Sequence, residues 1–267
     1  MSSKVNTHGE LLFEQYLLSQ GYTEFEHERQ SEGKSKRPDY TVRIGSEEYL
    51  FEVKDFVQVK SLPPMGSFDD YTPIRVKIDA GRKKFKEYKD AGLPCCLVLY
   101  NVNMPLLDLH SPEIMFGAME GDFGISMLFD VQRGRVDEST ISHAFLDGGK
   151  MVRAKTSEPQ NTTISALITL RHVHIGSMRY RKYFREGFKL PKDQQDDYFS
   201  TGVDFDTEEK HLGVIVWENR VAKVPFSNQI FRGDYDERYI YDGNHVTRVF
   251  AGPGVLEYEE LRPADEV

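Results

Sequence analysis

The sequence has little cysteine, no long apolar run and no surplus of positive charge, and each shortage excludes something. Its two cysteines, Cys95 and Cys96, are adjacent. Neighbours on a strand point to opposite faces, so this pair suits neither a zinc cluster nor an ordinary disulfide. Both read as packing residues in a reducing compartment. No stretch is long enough to span a membrane, and the N-terminus lacks the apolar region of a signal peptide. The expected location is therefore cytoplasmic, with no membrane partner. Lysine and arginine number 34 against 43 aspartate and glutamate, a formal net charge of −9. A protein that coats duplex nucleic acid is more often basic, so any such contact must come from a local basic surface or from a partner. What remains, 39% hydrophobic and 12% aromatic residues in 267, suffices for a sizeable core. That size fits one large domain, or one domain with an extension.

The stretch that organises the chain is KRPDYTVRIGSEEYLFEVKDF, which reads as a hairpin. Over residues 39–44, Tyr40, Val42 and Ile44 alternate with Asp39, Thr41 and Arg43. Over residues 48–55, Tyr49, Phe51 and Val53 alternate with Leu50, Glu52 and Lys54. Side chains two apart share a face, so Glu52 and Lys54 point the same way. Two registers are open. Pairing Tyr40 with Val53, Val42 with Phe51 and Ile44 with Tyr49 leaves a loop of residues 45–48 and sets Asp39 opposite Lys54. A tighter Gly45-Ser46 turn, with Gly first as type II′ prefers, sets Asp39 opposite Glu52. Both place Asp39, Glu52 and Lys54 on one face. A one-residue slip between them would set apolar residues against polar ones, and the pattern resists it.

An aspartate and a glutamate side by side suit a hard divalent cation, because Mg²⁺ takes one or two carboxylates and fills its other positions with water and phosphate oxygens. A lysine beside them can orient or deprotonate the attacking water and offset charge on a phosphate. Together these are the equipment of metal-assisted phosphodiester hydrolysis. Pro38-Asp39, a short gap and Glu52-Val53-Lys54 resemble the pattern of the PD-(D/E)XK nuclease superfamily. Many of its members add a glutamate on a helix ahead of the first strand. Here that helix reads THGELLFEQYLLSQGY, where Glu10 is the best match and Glu14 the second.

The resemblance covers roughly residues 7–100. It implies a mixed α/β fold with a restriction-endonuclease-like central mixed sheet flanked by helices. Residues 1–100 would form the nuclease core, and residues 101–267 an extension of the same sheet or a second β-rich subdomain. It further implies a Mg²⁺-dependent nuclease acting on nucleic acid, DNA first, with Mn²⁺ able to substitute. Asp39, Glu52 and the Val53 carbonyl would hold the ion, Lys54 would serve the water or the transition state, and Glu10 would assist. A protein partner or a homodimer fits the same resemblance. Two other readings compete. One is a catalytically silent module that keeps the fold and binds nucleic acid or a protein. The other is an unrelated α/β protein, since Glu and Lys alternating on a strand commonly mark a solvated face.

The flanking elements carry their own expectations. Thr7 and Glu10 have capping-box spacing at the start of the first helix, so Glu10 has two possible jobs, and Gly21 stops that helix. Residues 23–37 are polar: His27 is expected in solvent, and Lys34, Lys36 and Arg37 are possible phosphate contacts. Residues 55–72, with Pro63-Pro64 and Gly66, read as a long loop. The next helix is expected to start with Thr72 as N-cap and Pro73 at its first position. Ile74, Ile78, Phe85 and Tyr88 line one face. Arg75, Arg82, Lys86 and Lys89 run along one flank and are the candidate nucleic-acid contacts; Lys77 and Lys84 run along the other. A buried strand follows at residues 94–100, making a strand–helix–strand crossover. Beyond residue 101, SPEIMFGAM reads as a helix and GISMLFDV, TTISALITLRHV and HLGVIVWEN as strands. RYRKYFREGFK interleaves basic and aromatic residues, a pattern that can hold nucleic acid but more often marks an exposed amphipathic segment. Trp217, Asn219 and Asp236 receive no role. Finally, two facing carboxylates offset only in part by Lys54 should repel, so Asp39→Asn is expected to leave the cation-free protein no less stable.

Overall fold

The structure is a computed structural model that describes residues 6–29, 36–57, 69–104, 106–130, 134–153, 156, 158–200 and 206–261. Lys34, the proline-containing part of the long connection and the closing RPADEV lie outside these residues. The helices are α1 (His8–Ser19), α2 (Tyr71–Phe85), α3 (Pro112–Glu120), α4 (Ile175–Gly187), α5 (Lys192–Ser200) and α6 (Pro253–Leu261). The strands are β1 (Phe25–His27), β2 (Tyr40–Ile44), β3 (Glu47–Phe56), β4 (Cys95–Asn101), β5 (Gly121–Asp130), β6 (Arg135–Gly148), β7 (Ile164–Val173), β8 (His211–Glu218), β9 (Glu237–Tyr241) and β10 (Val246–Ala251).

The fold is mixed α/β. Eight strands form one sheet in the order β1-β2-β3-β4-β7-β8-β9-β10, and β5 and β6 form a separate ribbon. The centre of the sheet, β3-β4-β7, is parallel, while β2 runs antiparallel to both β1 and β3. Strands beyond residue 101 thus continue the sheet that the first hairpin begins. His27, expected in solvent, instead ends the edge strand β1, and its ring lies 5.1 Å from that of Tyr40.

The period-two alternation of β3 builds a core on each side of the sheet. Leu50 and Phe56 pack with Ile74, Ile78 and Phe85 of α2 and with Met115 of α3. Tyr49, Phe51 and Val53 pack with Phe13, Tyr16 and Leu17 of α1 and with Tyr40 and Val42 of β2. Cys95 faces the first cluster and Cys96 the second, both free thiols, as adjacent strand positions require. Close approaches set the two helices. A Cβ at Gly81 would lie 3.1 Å from Leu97 Cδ1, and one at Gly9 would lie 2.1 Å from Asp55 Oδ1. The Gly9 N–H donates to both Asp55 oxygens at 3.1 Å, so Asp55 anchors α1 on the face opposite Lys54. The helix α2 starts two residues earlier than the Pro73 pattern predicts. Asp69 accepts from the Tyr71 and Thr72 amides and does the capping work expected of Thr72. No described helix is long and apolar enough to cross a membrane.

The segment from 217 to 238 ties the far strands to α1. Trp217 is fully buried and donates Nε1–H to Thr169 Oγ1 at 2.9 Å. Asn219 donates to the Ile164 carbonyl at 2.7 Å and accepts from the Val221 amide. Arg238, also fully buried, meets Glu218 and the carbonyls of Ser227 and Ile230. Asp236 accepts from the Tyr16 hydroxyl at 2.7 Å, the Val214 amide at 3.0 Å and the Gly233 amide at 2.6 Å. Removing its carboxylate strands three donors, two of them buried and bearing their full desolvation cost. Asp236→Ala should therefore destabilise the protein by about 3–5 kcal/mol, and Asp236→Asn, which keeps an acceptor, by less. Urea unfolding followed by circular dichroism measures both.

Candidate active site

The register of the first hairpin is the tight one. Tyr40 pairs with Phe51, Val42 with Tyr49 and Ile44 with Glu47. That leaves the two-residue turn Gly45-Ser46, with Gly45 at φ 62°, the positive value that its first position needs. Asp39, the residue before β2, therefore faces Glu52. The observed strands put Asp39, Glu52 and Lys54 on the face covered by α2.

Both carboxylates are out of solvent, Asp39 at 3% and Glu52 at 2% exposure. Isolated charges would be very costly there, and the structure matches each with donors. The Val53 amide donates to Asp39 Oδ2 at 2.8 Å. Lys54 holds Glu52 Oε1. A second lysine, Lys84 of α2, places its Nζ 2.8 Å from Asp39 Oδ1 and 2.6 Å from Glu52 Oε2. The first contact is a hydrogen bond. The second is a close ion pair without regular hydrogen-bond direction, and the Lys84 ammonium answers the charge of Glu52 Oε2. The two carboxylates thus converge on a single cationic nitrogen.

The balance of forces differs between them. Burial works to raise the Asp39 carboxyl, but the Lys84 hydrogen bond and charge, the Val53 amide and Lys54 together bring it below its ordinary value. Burial and then the Asp39 charge raise Glu52, against the pull of Lys54 and Lys84. Lys84 is raised: burial opposes its charge, but both carboxylates outweigh it. Lys77, two helical turns before Lys84 and over the Phe56 ring, is lowered by burial and then by the charge of Lys54.

Several elements deliver Lys84 to this place. Gly81, one turn earlier, lets α2 approach Leu97, the β4 partner of Glu52. The segment ahead of Asp39 docks on the end of the same helix. Lys36 donates Nζ–H to the Lys83 carbonyl at 2.9 Å, and the Tyr88 hydroxyl donates to the Lys36 carbonyl at 2.9 Å. Lys36 is therefore engaged, while Arg37 stays exposed. Sequence pattern placed Lys84 on the helix flank set aside. Gly81 is the signal that could have singled it out, since the smallest residue marks where a helix meets its sheet most closely.

Glu10 lies elsewhere. Its Oε2 accepts from the Thr7 amide at 2.7 Å and Thr7 caps the Glu10 amide, completing the capping box. The Tyr40 hydroxyl, on the α1 face, donates to the Glu10 carbonyl and to Glu14 Oε1. Glu10 and Glu14 thus belong to the face opposite the carboxylate pair. The basic flank also divides. Arg75 donates to the Gly117 carbonyl at 2.8 Å and to Asp122 at 2.6 Å, tying α2 to α3. Arg82, Lys86 and Lys89 line a shallow basin of about 370 Å³ with Lys83, Asn161, Thr162 and Thr163. In the basic-aromatic segment, Tyr183 stacks on Tyr198 at 4.8 Å and Phe184 on Phe199 at 5.5 Å. Those rings pack α4 on α5.

Comparison with known proteins finds no matching family model, no matching curated protein and no matching solved structure. Among the described residues no group of three or more histidine, cysteine, aspartate or glutamate side chains is placed to hold a metal. The pair Asp39 and Glu52 nevertheless fits Mg²⁺, which needs only one or two carboxylates. Its fit rests on the convergence of both carboxylates on one cationic nitrogen, at 2.8 Å and 2.6 Å. The Val53 amide points at Asp39, and within a strand residue the N–H and C=O share an edge, so the Val53 carbonyl faces the same side.

The repulsion expected between these carboxylates is already answered, which corrects the expectation for Asp39→Asn. An asparagine would lose its ion pair with Lys84 and would have to turn either an amide N–H toward that ammonium or its only acceptor away from Val53. The cation-free variant should be less stable than wild type by about 1–3 kcal/mol, read from denaturant midpoints at equal slope.

Proposed function

We propose that this chain is a Mg²⁺-dependent nuclease with a restriction-endonuclease-like core, hydrolysing phosphodiester bonds in DNA. The observation that carries the reading is the buried pair Asp39 and Glu52, converging on one cation with Lys54 adjacent. Asp39, Glu52 and the Val53 carbonyl would hold the ion. Bound there, it would supply positive charge to the scissile phosphate and a more acidic water. Lys54, one-quarter exposed and held by Glu52, reaches the rim of the site, where its ammonium orients the attacking water and offsets charge developing on the phosphoryl oxygens. Glu10 is given no part in the chemistry, because its carboxylate closes the cap of α1.

A panel of linear duplex, supercoiled plasmid, single-stranded DNA, branched DNA and RNA, each with and without Mg²⁺, tests the activity and its substrate. Asp39→Asn and Lys54→Ala should each lower Mg²⁺-dependent cleavage by at least ~10²-fold, with folding checked by circular dichroism. Cleavage at the wild-type rate by either variant would remove the pair from the chemistry.

A second reading is favoured by the same lysines. Lys54 and Lys84 already neutralise both carboxylates, which also suits a catalytically silent module that binds nucleic acid or a protein. Salt-dependent binding of DNA without cleavage of any substrate in the panel would favour it.

For either reading the contact surface is the basin on α2, since the whole chain carries −9 and only a local patch can attract phosphate. Arg82→Ala with Lys86→Ala should weaken DNA binding about equally across sequences. It should also flatten the plot of log affinity against log salt by about 1–2 units, one phosphate contact accounting for about 0.9. An unchanged slope would place the contact elsewhere.

A further inference from the structure

We propose that Lys84 is the resident counter-ion of the carboxylate pair, and that a divalent cation binds by displacing its ammonium from Asp39 Oδ1 and Glu52 Oε2. The inference rests on the reading of this pair as a metal site and adds what sets its affinity. Three observations carry it. The ammonium touches one oxygen of each carboxylate, at 2.8 Å and 2.6 Å, which is the position a shared cation takes. Its contact with Glu52 Oε2 is a close ion pair that lacks regular hydrogen-bond direction, so the ammonium fits that oxygen less well than it fits Asp39 Oδ1. And charge is already balanced, two carboxylates against Lys54 and Lys84.

Adding a doubly charged ion to that neutral group while both lysines stay in place would leave a buried excess of two positive charges. Coulomb repulsion at such range is large in a protein interior. One lysine must therefore yield. Lys54 holds only Glu52, whereas Lys84 occupies the point between the carboxylates, so Lys84 is the one in the way. It reaches that point from a helix, with a side chain about one-quarter exposed, so its ammonium can turn outward to solvent without moving α2. Outside, it adds to the positive charge beside the site. A phosphodiester group arriving there, with its single negative charge, would offset part of that added positive charge. Cation and phosphate ester should therefore bind with positive coupling, each tightening the other by the same factor.

The test measures Mn²⁺ binding without substrate, by electron paramagnetic resonance of the free ion and by the shift in melting temperature, for wild type, Lys84→Met and Lys84→Met with Asp39→Asn. Methionine keeps the length and apolar stem of lysine and removes the charge. Lys84→Met should melt lower than wild type without metal, bind Mn²⁺ at least about tenfold more tightly and gain more in melting temperature from it. The double variant should lose that binding. Lys84→Gln, which keeps a donor without the charge, should show the same order and stands in if Lys84→Met does not fold. Equal Mn²⁺ affinity in wild type and the Lys84 variants would overturn the counter-ion role while leaving the pair a metal site. No Mn²⁺ binding by any folded variant would overturn the site itself, and the nuclease reading with it.

Discussion

A two-residue turn decides which side chains of the first hairpin meet across its strands. With Gly45 and Ser46 as its only loop residues, Tyr40 must meet Phe51 and Val42 must meet Tyr49. These rings and branched chains form the floor under α1. The same pairing leaves Asp39 across from Glu52 on the other side, under α2. Because strand side chains alternate strictly, apolar burial on one face and carboxylate pairing on the other are a single constraint. Slipping the register by one residue would expose the floor and scatter the carboxylates together.

Burying two carboxylates beside each other is the costly part of this arrangement, and α2 makes it tolerable. The helix has to come close enough for an ammonium to reach between β2 and β3. Gly81 permits that approach against Leu97, and Phe85 and Ile78 fix the rotation of the helix about its own axis. The loop end before Asp39 then fastens to the helix through Lys36 and Tyr88. Asp55 and Gly9 do the corresponding job for α1 on the opposite face. Asp55 follows Lys54 directly on β3 and Lys36 shortly precedes Asp39, so the backbone beside each part of the site is fastened to a helix. A site made of charged groups needs such support, since a misplacement of about 1 Å can undo an electrostatic arrangement.

Much of this was legible in the sequence. Alternation alone placed Asp39, Glu52 and Lys54 on one face, because it holds in either register. It could not choose between registers, since both keep the apolar faces matched, and turn geometry made the choice. Thr7 and Glu10 announced a cap, and the cap is what Glu10 makes; that α1 lies across the sheet from the carboxylates is a tertiary fact with no local signal. Helix periodicity grouped Arg75 with Arg82, Lys86 and Lys89, yet periodicity knows nothing of α3, whose Gly117 carbonyl and neighbouring Asp122 claim Arg75. Lys84 was hidden for the same reason. A flank becomes an inner face only when the helix is set on its sheet. The edge strand at 25–27 escaped because three half-polar residues carry too short a pattern to register against a charged background.

One helix now carries both electrostatic tasks. Its inner flank supplies the ammonium that neutralises Asp39 and Glu52, and its outer flank supplies Arg82 and Lys83 to the basin, with Lys86 and Lys89 just past its end. The net charge of −9 argues less strongly against a polyanionic ligand than it first suggests. At physiological salt, charges further than about 8 Å away are largely screened, so a phosphate approaching α2 is governed by the lysines and arginines of that helix and not by acidic residues across the molecule. The same element thus lies against the buried pair on one flank and beside the outer basin on the other.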